Sequence, residues 1–309
     1  MKKIKVVNII GPTAVGKTKL ALELSKKFDV EIISADSIQI YKEFNILSAK
    51  PTDAELQNVP HHFINSISVE ECYSVADFVE QASKCISQVD SNNRLPLLVG
   101  GTGLYVDSLL KNRSFSSKRT SSVTLDAHLS NCDMMDMLKK VDPQSAAKIH
   151  INDSKRLRRA LEFYETHGYP ISKQVEDSKK AISPFDTCRI GLSFLDRELL
   201  YSKINLRVDE MFQNGILEEV QKIYSSNNVS KTACAAIGYK EILQYLKKEK
   251  TLQNVMDEIK QATRRYAKRQ LTWFRRDTNI NWVYLDEFGN FSEVVKQAEK
   301  VIKKFLCNE

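Results

Sequence analysis

The segment IKVVNIIGPTAVGKT, residues 4–18, constrains the fold more than any other stretch. The continuous apolar run at 4–10 reads as a buried strand. Gly11, Pro12, Thr13, Ala14, Val15, Gly16, Lys17 and Thr18 follow at once and match G-x-x-x-x-G-K-[ST]. A helical pattern comes next, with Leu20, Leu24 and Phe28 at helical spacing. Strand, turn and helix are the context this motif needs. Glycines let the backbone wrap with its N–H groups inward, and the helix N-terminus adds partial positive charge. Lys17 supplies a full charge to terminal phosphates, and the Thr18 hydroxyl can hold Mg²⁺. The loop points to a diphosphate or triphosphate and leaves its carrier open. The alternative is an ordinary turn that matches by chance.

Two further strands end in unusual loops. VEIIS at 30–34 leads to Asp36, and LPLLV at 95–99 leads to Gly100-Gly101-Thr102-Gly103. A helix at 74–89 lies between them. Alternating strands and helices predict an α/β fold, a parallel sheet flanked by helices on both faces. Ligands then gather at the C-terminal strand ends. From 111 to 187 the pattern turns helical, after a polar, Ser-rich linker at 112–122, and reads as an inserted all-helical domain. The catalytic core is thus expected at 1–110 and 188–309. A returning strand is predicted at 189–195 and a last one at 282–286, with helices at 198–224, 238–248, 252–276 and 291–306. No internal repeat is found.

Bulk properties exclude other classes. With 42% apolar and 28% charged residues, the 309-residue chain reads as globular rather than disordered. No apolar stretch approaches the roughly 18 residues of a membrane span. The N-terminal run lacks a cleavage signal, so a soluble, cytoplasmic protein is expected. Six widely spaced cysteines, without a Cys-x-x-Cys pair, read as reduced, buried and inert. His61 and His62 lack neighbouring ligands, which gives a zinc site little support.

Asp36-Ser37-Ile38-Gln39 closes the second strand, with its carboxylate facing the phosphate crevice. A carboxylate there can act as a general base for an attacking group. It can equally cap the next element. Lys50-Pro51-Thr52 follows in a loop able to close over the site.

GPTAVGKT, SADSIQIY, SAKPT, VGGTGLYV, RLRRALE, AIGYKEI and TRRYAKRQLTWFRR occur in that order. Together they closely resemble the tRNA dimethylallyltransferases, also called tRNA isopentenyltransferases, over about residues 5–285. The resemblance implies a P-loop NTPase-like core. It implies transfer of a dimethylallyl group from dimethylallyl diphosphate to N6 of the adenosine at tRNA position 37, 3′ to the anticodon. The loop Gly11–Thr18 would then hold the diphosphate of the isoprenoid, with Mg²⁺ near Thr18. Asp36 becomes the base for N6, and Thr102 a contact to the tRNA or the target base. Asp36, Ser37, Ile38 and Gln39, and Lys155, Arg156, Leu157, Arg158 and Arg159, become tRNA contacts. The segment 111–150 departs from the family pattern, and the chain stops at Glu309 without the zinc-finger extension of eukaryotic relatives, so it resembles the bacterial form. A monomer is expected.

Other residues fit that chemistry. An allylic diphosphate leaves once its charge is neutralised and water is excluded. Arg207 is read as opening a helix with a core face of Val208, Met211, Phe212 and Val220, at an edge where it reaches a diphosphate. A surface salt bridge is the plain alternative. Between 231 and 276 lie 12 Lys+Arg against 4 Asp+Glu, a local excess of eight in a chain whose net charge is +7. Arg264, Arg265, Lys268 and Arg269 share one helix face, with Tyr266, Trp273 and Phe274 interleaved, as in a phosphate-tracking surface. A solvated charged face is the alternative. An adenylate isopentenyltransferase shares the loop and Asp36 but leaves the basic segments without a role. A P-loop kinase of a small metabolite predicts phosphoryl transfer and ATP turnover and leaves the basic stripe unexplained, and a non-catalytic RNA-binding protein leaves Asp36 unexplained.

Overall fold

The computed structural model describes residues 3–113, 115, 125–126, 128–180, 182–226 and 228–307, the side chains of 179 and 180 excepted. The chain forms two compact units, one running up to Leu110 and resuming at Pro184, the other Lys111–Ser183.

In the larger unit, six strands form one wholly parallel sheet. They are β1 (Ile4–Ile10), β2 (Val30–Ser34), β3 (His61–His62), β4 (Leu95–Gly100), β5 (Phe185–Ser193) and β6 (Ile280–Tyr284). Their order is β3-β2-β4-β1-β5-β6. The central strands are near-continuous apolar runs because both faces are covered. Val6, Val7, Ile9 and Ile10 are all buried. The register sets Ile10 beside Gly100 of β4 and Gly191 of β5.

The helices before the smaller unit are α1 (Lys17–Ser25), α2 (Asp53–Asn58), α3 (Val75–Ser91) and α4 (Gly103–Leu110). The smaller unit holds α5 (Asn131–Val141), α6 (Pro143–Ala146), α7 (Ser154–His167) and α8 (Ile171–Lys180). After it come α9 (Arg197–Gln213), α10 (Ile216–Ser226), α11 (Tyr239–Leu246), α12 (Leu252–Phe274) and α13 (Phe291–Cys307). Leu20 and Leu24 of α1 join Val294, Ala298 and Ile302 of α13 in a core with Val7 and Ile9. Helices α3 and α4 pack together, and α3 also meets β1 and β4. The smaller unit has its own core, built on Met134, Met135, Leu138, Leu157, Ala160 and Leu161.

From β1 the chain moves to β2 across β4, and from β4 it passes to β5 on the other side of β1. The connections thus reverse between β4 and β1, and the crevice outside their carboxyl ends is the natural ligand position. The phosphate loop leaves β1 there and the Gly-rich turn leaves β4.

Several boundaries differ from the sequence reading. The helix expected over 198–224 is two, α9 and α10, because Gly215 takes φ +92. That is a left-handed conformation that ends a helix. Strand β5 starts at Phe185, inside the stretch read as wholly helical, and β6 starts at Ile280. The expected linker at 112–122 lies for the most part outside the described residues. Among the cysteines, Cys188 is buried, whereas Cys72, Cys132 and Cys307 are exposed, contrary to the expectation of burial. No helix among the described residues is long and apolar enough to cross a membrane.

Candidate active site

The ends of β1, β2 and β4 open into a cavity of about 560 Å³. Thr13, Ala14, Gly16, Lys17 and Thr18 of the phosphate loop line it, as do Asp36 and Gln39 after β2. Arg207 of α9 and Tyr266 and Gln270 of α12 complete its polar wall. Gly11, Pro12 and Val15 instead form the loop's frame. Gly11 has φ +144, and a Cβ there would collide with the Leu192 carbonyl oxygen. Val15 is buried in the core.

Lys17 Nζ donates to the Pro12 carbonyl at 2.6 Å. Burial, with the nearby Arg207 charge, draws its ammonium down to about 7, while Asp36 acts in the opposite direction. A cationic group so desolvated is poised to gain from an incoming anion. Arg207 lies within α9 rather than at its start, and Val220 belongs to the next helix, α10. Its Nη2 donates to the Ser48 carbonyl at 3.4 Å. Burial lowers its pKa, while Asp36 and Glu210 raise it. Among the described residues it forms no ion pair, so the surface salt bridge is not seen and its charge faces the cavity.

Asp36 divides its labour between its oxygens. Oδ1 accepts the Ile38 and Gln39 backbone N–H groups at 2.9 and 3.3 Å, which caps the turn after β2. Oδ2 takes no hydrogen bond among the described residues, so one oxygen is left for an incoming group. Gln39 accepts from the Ser34 hydroxyl at 3.1 Å and lines the cavity. Thr102 is not part of the cavity wall; its hydroxyl accepts the Ser37 N–H at 3.3 Å and ties the β4 turn to the β2 turn.

Sequence reasoning misses Gln270 as a site residue and sets Tyr266 among the charges of α12 rather than in the cavity wall. Gln270 is only 5% exposed. Its Oε1 accepts the Thr13 N–H at 3.0 Å, and its Nε2 donates to the Gly101 carbonyl at 2.9 Å. The signal is a polar residue on the buried face of α12, among Val255, Ile259, Ala267 and Phe274. Burial and the Asp36 charge push the Tyr266 phenol up to about 12, although Thr102, Arg269 and Gln270 pull it the other way.

The loop before Pro51 is firmly held. The Glu219 carboxylate of α10 accepts the N–H groups of Asn45, Ile46 and Leu47 at 2.8–2.9 Å. Lys50 Nζ donates to the Lys42 carbonyl and to Asn45 Oδ1, each at 3.1 Å. Burial draws Lys50 down to about 8, although Glu219 and Glu43 raise it. This segment forms part of the cavity wall through Ala49, Lys50 and Pro51.

The basic face of α12 is narrower than expected. Arg265, Lys268 and Arg269 are exposed, whereas Arg264 is half-buried and donates to Asn205 Oδ1 at 2.6 Å. Phe274 is a core residue, so it is not interleaved with the charges. Trp273 Nε1 donates to Asp107 at 3.0 Å, and Asp107 also pairs with buried Arg189 at 3.0 Å. In the smaller unit, Lys155, Arg156 and Arg159 of α7 are exposed. Leu157 is fully buried in that unit's core and has no surface to offer a nucleic acid, which corrects its assignment as a tRNA contact. Arg158 is engaged with the carbonyls of Leu125 and Asp126 at 3.0 and 3.2 Å.

The donor set fits Mg²⁺ better than a protein-caged metal. No group of three or more His, Cys, Asp or Glu able to hold an ion occurs among the described residues. Thr18 lines the cavity with the other phosphate-loop residues, and its hydroxyl is the kind of oxygen ligand that a hard cation takes. His62 is instead paired with Glu31 at 2.6 Å.

A family model described as IPP transferase matches residues 39–277. The chain is 42% identical over 307 residues to the tRNA dimethylallyltransferase of Thermoanaerobacter sp. (strain X514), covering 97% of this chain and 98% of that one. It is 40% identical over 307 residues to that of Bacillus cereus (strain ATCC 14579), covering 97% and 96%. Among solved structures, the tRNA isopentenylpyrophosphate transferase of Bacillus halodurans aligns with a TM-score of 0.73 at 37% identity, covering 98% of this chain and 97% of that one. A eukaryotic dimethylallyltransferase acting on tRNA aligns with a TM-score of 0.76 at 28% identity, covering 97% and 80%. With this coverage and this phosphate-loop crevice, the chain belongs to the tRNA dimethylallyltransferase family.

Proposed function

We propose that this protein transfers the dimethylallyl group of dimethylallyl diphosphate to N6 of the adenosine at tRNA position 37, acting as a cytoplasmic monomer. The observation that carries the reading is Asp36, whose second carboxylate oxygen is left unbonded in the cavity that Lys17 and Arg207 also line. The phosphate-loop amides, Lys17 and Arg207 take the charge of the departing diphosphate. When bound, Mg²⁺ supplies further neutralisation of that diphosphate, with the Thr18 hydroxyl as the chain's own ligand. As the allylic C–O bond breaks, the N6 nitrogen forms the new C–N bond and its proton passes to Asp36 Oδ2. The adenine reaches the crevice by leaving its stack.

Arg265, Lys268 and Arg269 on α12 follow the RNA backbone, and Lys155, Arg156 and Arg159 in the Lys111–Ser183 unit give a second grip. Labelled dimethylallyl diphosphate, offered separately with unmodified tRNA, AMP and no acceptor, tests this reading. Label is expected on tRNA alone. Label on AMP but not on tRNA makes the protein an adenylate prenyltransferase.

A further inference from the structure

We propose that Gln270 is a positioning residue that sets the spacing between the donor-binding loop and the acceptor-side turn; the inference rests on the transfer reaction proposed above. A buried amide is costly unless both its ends are satisfied. Gln270 satisfies both by joining residues from two different strand ends, Thr13 after β1 and Gly101 after β4. These two strands flank the reversal in the sheet connections. Only one orientation of the amide serves both partners, since Thr13 offers a donor and Gly101 an acceptor. The turn is shaped for it: a Cβ on Gly101 would collide with Gln270 Nε2.

The link continues toward the base. Gly101 precedes Thr102, whose hydroxyl holds the N–H of Ser37, the residue after Asp36. A short path of hydrogen bonds and single peptide steps thus runs from the phosphate loop through Gln270 to the Asp36 turn. Tyr266, one turn earlier on α12, points its phenol toward the same Thr102 and Gln270. One side chain therefore fixes the distance between the departing diphosphate and the group that takes the N6 proton. Misplacement by about 1 Å costs on the order of a hundredfold in rate.

Two variants test this. Gln270→Met keeps the length and removes both hydrogen bonds. Gln270→Glu keeps the acceptor for Thr13 but loses the donor to Gly101 when ionised; once protonated, its carboxylic acid offers both. Single-turnover transfer is measured at saturating donor and tRNA from pH 6 to 9, with tRNA affinity and melting temperature in parallel. Lys17, Lys19, Asp36, Lys50, Glu55, Arg207, Glu210 and Tyr266 also line the cavity, so each variant is scored as its ratio to wild type at the same pH. At pH 8 both variants should bind tRNA within threefold of wild type and lose roughly a hundredfold in transfer rate. The Gln270→Glu ratio should rise as pH falls, while the Gln270→Met ratio stays flat. Met transferring within threefold of wild type, or equal pH responses of the two variants, overturns the positioning role. Wild type that fails to prenylate tRNA overturns the underlying reaction instead, so the two failures are distinct.

Discussion

The Thr102 hydroxyl accepts the Ser37 backbone N–H at 3.3 Å, which joins the ends of β4 and β2 directly beside Asp36. On the proposed mechanism, Thr102 therefore bears on Asp36 through the backbone rather than from the cavity wall. Thr102→Val should lower the saturated transfer rate by roughly tenfold, about 1.4 kcal/mol. Thr102→Ser should restore most of it. Transfer kinetics with tRNA in excess check both, and an inactive Ser variant would argue that the methyl group matters more than the hydroxyl.

Asp36→Asn keeps an oxygen that can cap Ile38 and Gln39 but removes the proposed base. The transfer rate should fall by about 10²–10⁴-fold. Affinity for tRNA, measured by filter binding, should stay within threefold. Lost affinity with an unchanged rate would assign Asp36 to binding alone.

Burial and the Arg207 charge draw Lys17 down to about 7, below the ordinary lysine range, against the pull of Asp36. It is charged below that pH and progressively neutral above it, so its attraction for an anion fades as pH rises. The gap between wild type and Lys17→Met in affinity for inorganic diphosphate should therefore be widest near pH 6 and narrow toward pH 9. Calorimetric titration of both proteins at each pH, with the ligand's own ionisation shared between them, reads that gap. A constant gap would place the titration of Lys17 elsewhere.

Replacing exposed Arg265, Lys268 and Arg269 together by Ala should weaken tRNA binding and flatten its dependence on salt. Every phosphate that the variant no longer neutralises reduces the slope of log K against log salt by roughly 0.7–0.9. Arg264→Ala should change the slope less, because its guanidinium is engaged with Asn205. A slope unaffected by the triple substitution would make this an ordinary solvated face.

The strands at 4–10, 30–34 and 95–100, and the loops that follow them, are readable in the sequence because each is a buried apolar run ending in Gly or Asp. The two-residue β3 is not, since His61-His62 carries no strand period. The break at Gly215 is marked in the sequence by Asn214-Gly215, but apolar residues continue at helical spacing across it and mask the stop. Leu157 sits among charged neighbours that suggest a surface, although its place in the α7 apolar pattern puts it in the core. Gln270 and Glu219 are hidden for a different reason. Each acts on backbone groups far away in the sequence, Thr13 and Gly101 for one and residues 45–47 for the other. Neither local spacing nor composition records such partners.

The most direct measurement is the identity of the product nucleoside. Unmodified tRNA is incubated with the protein and dimethylallyl diphosphate, then digested to nucleosides and to mapped fragments for mass analysis. N6-dimethylallyladenosine should appear at position 37 in proportion to the diphosphate released, and not with Asp36→Asn. Diphosphate release without a modified adenosine in tRNA, or a phosphorylated product formed from ATP, would contradict the assignment.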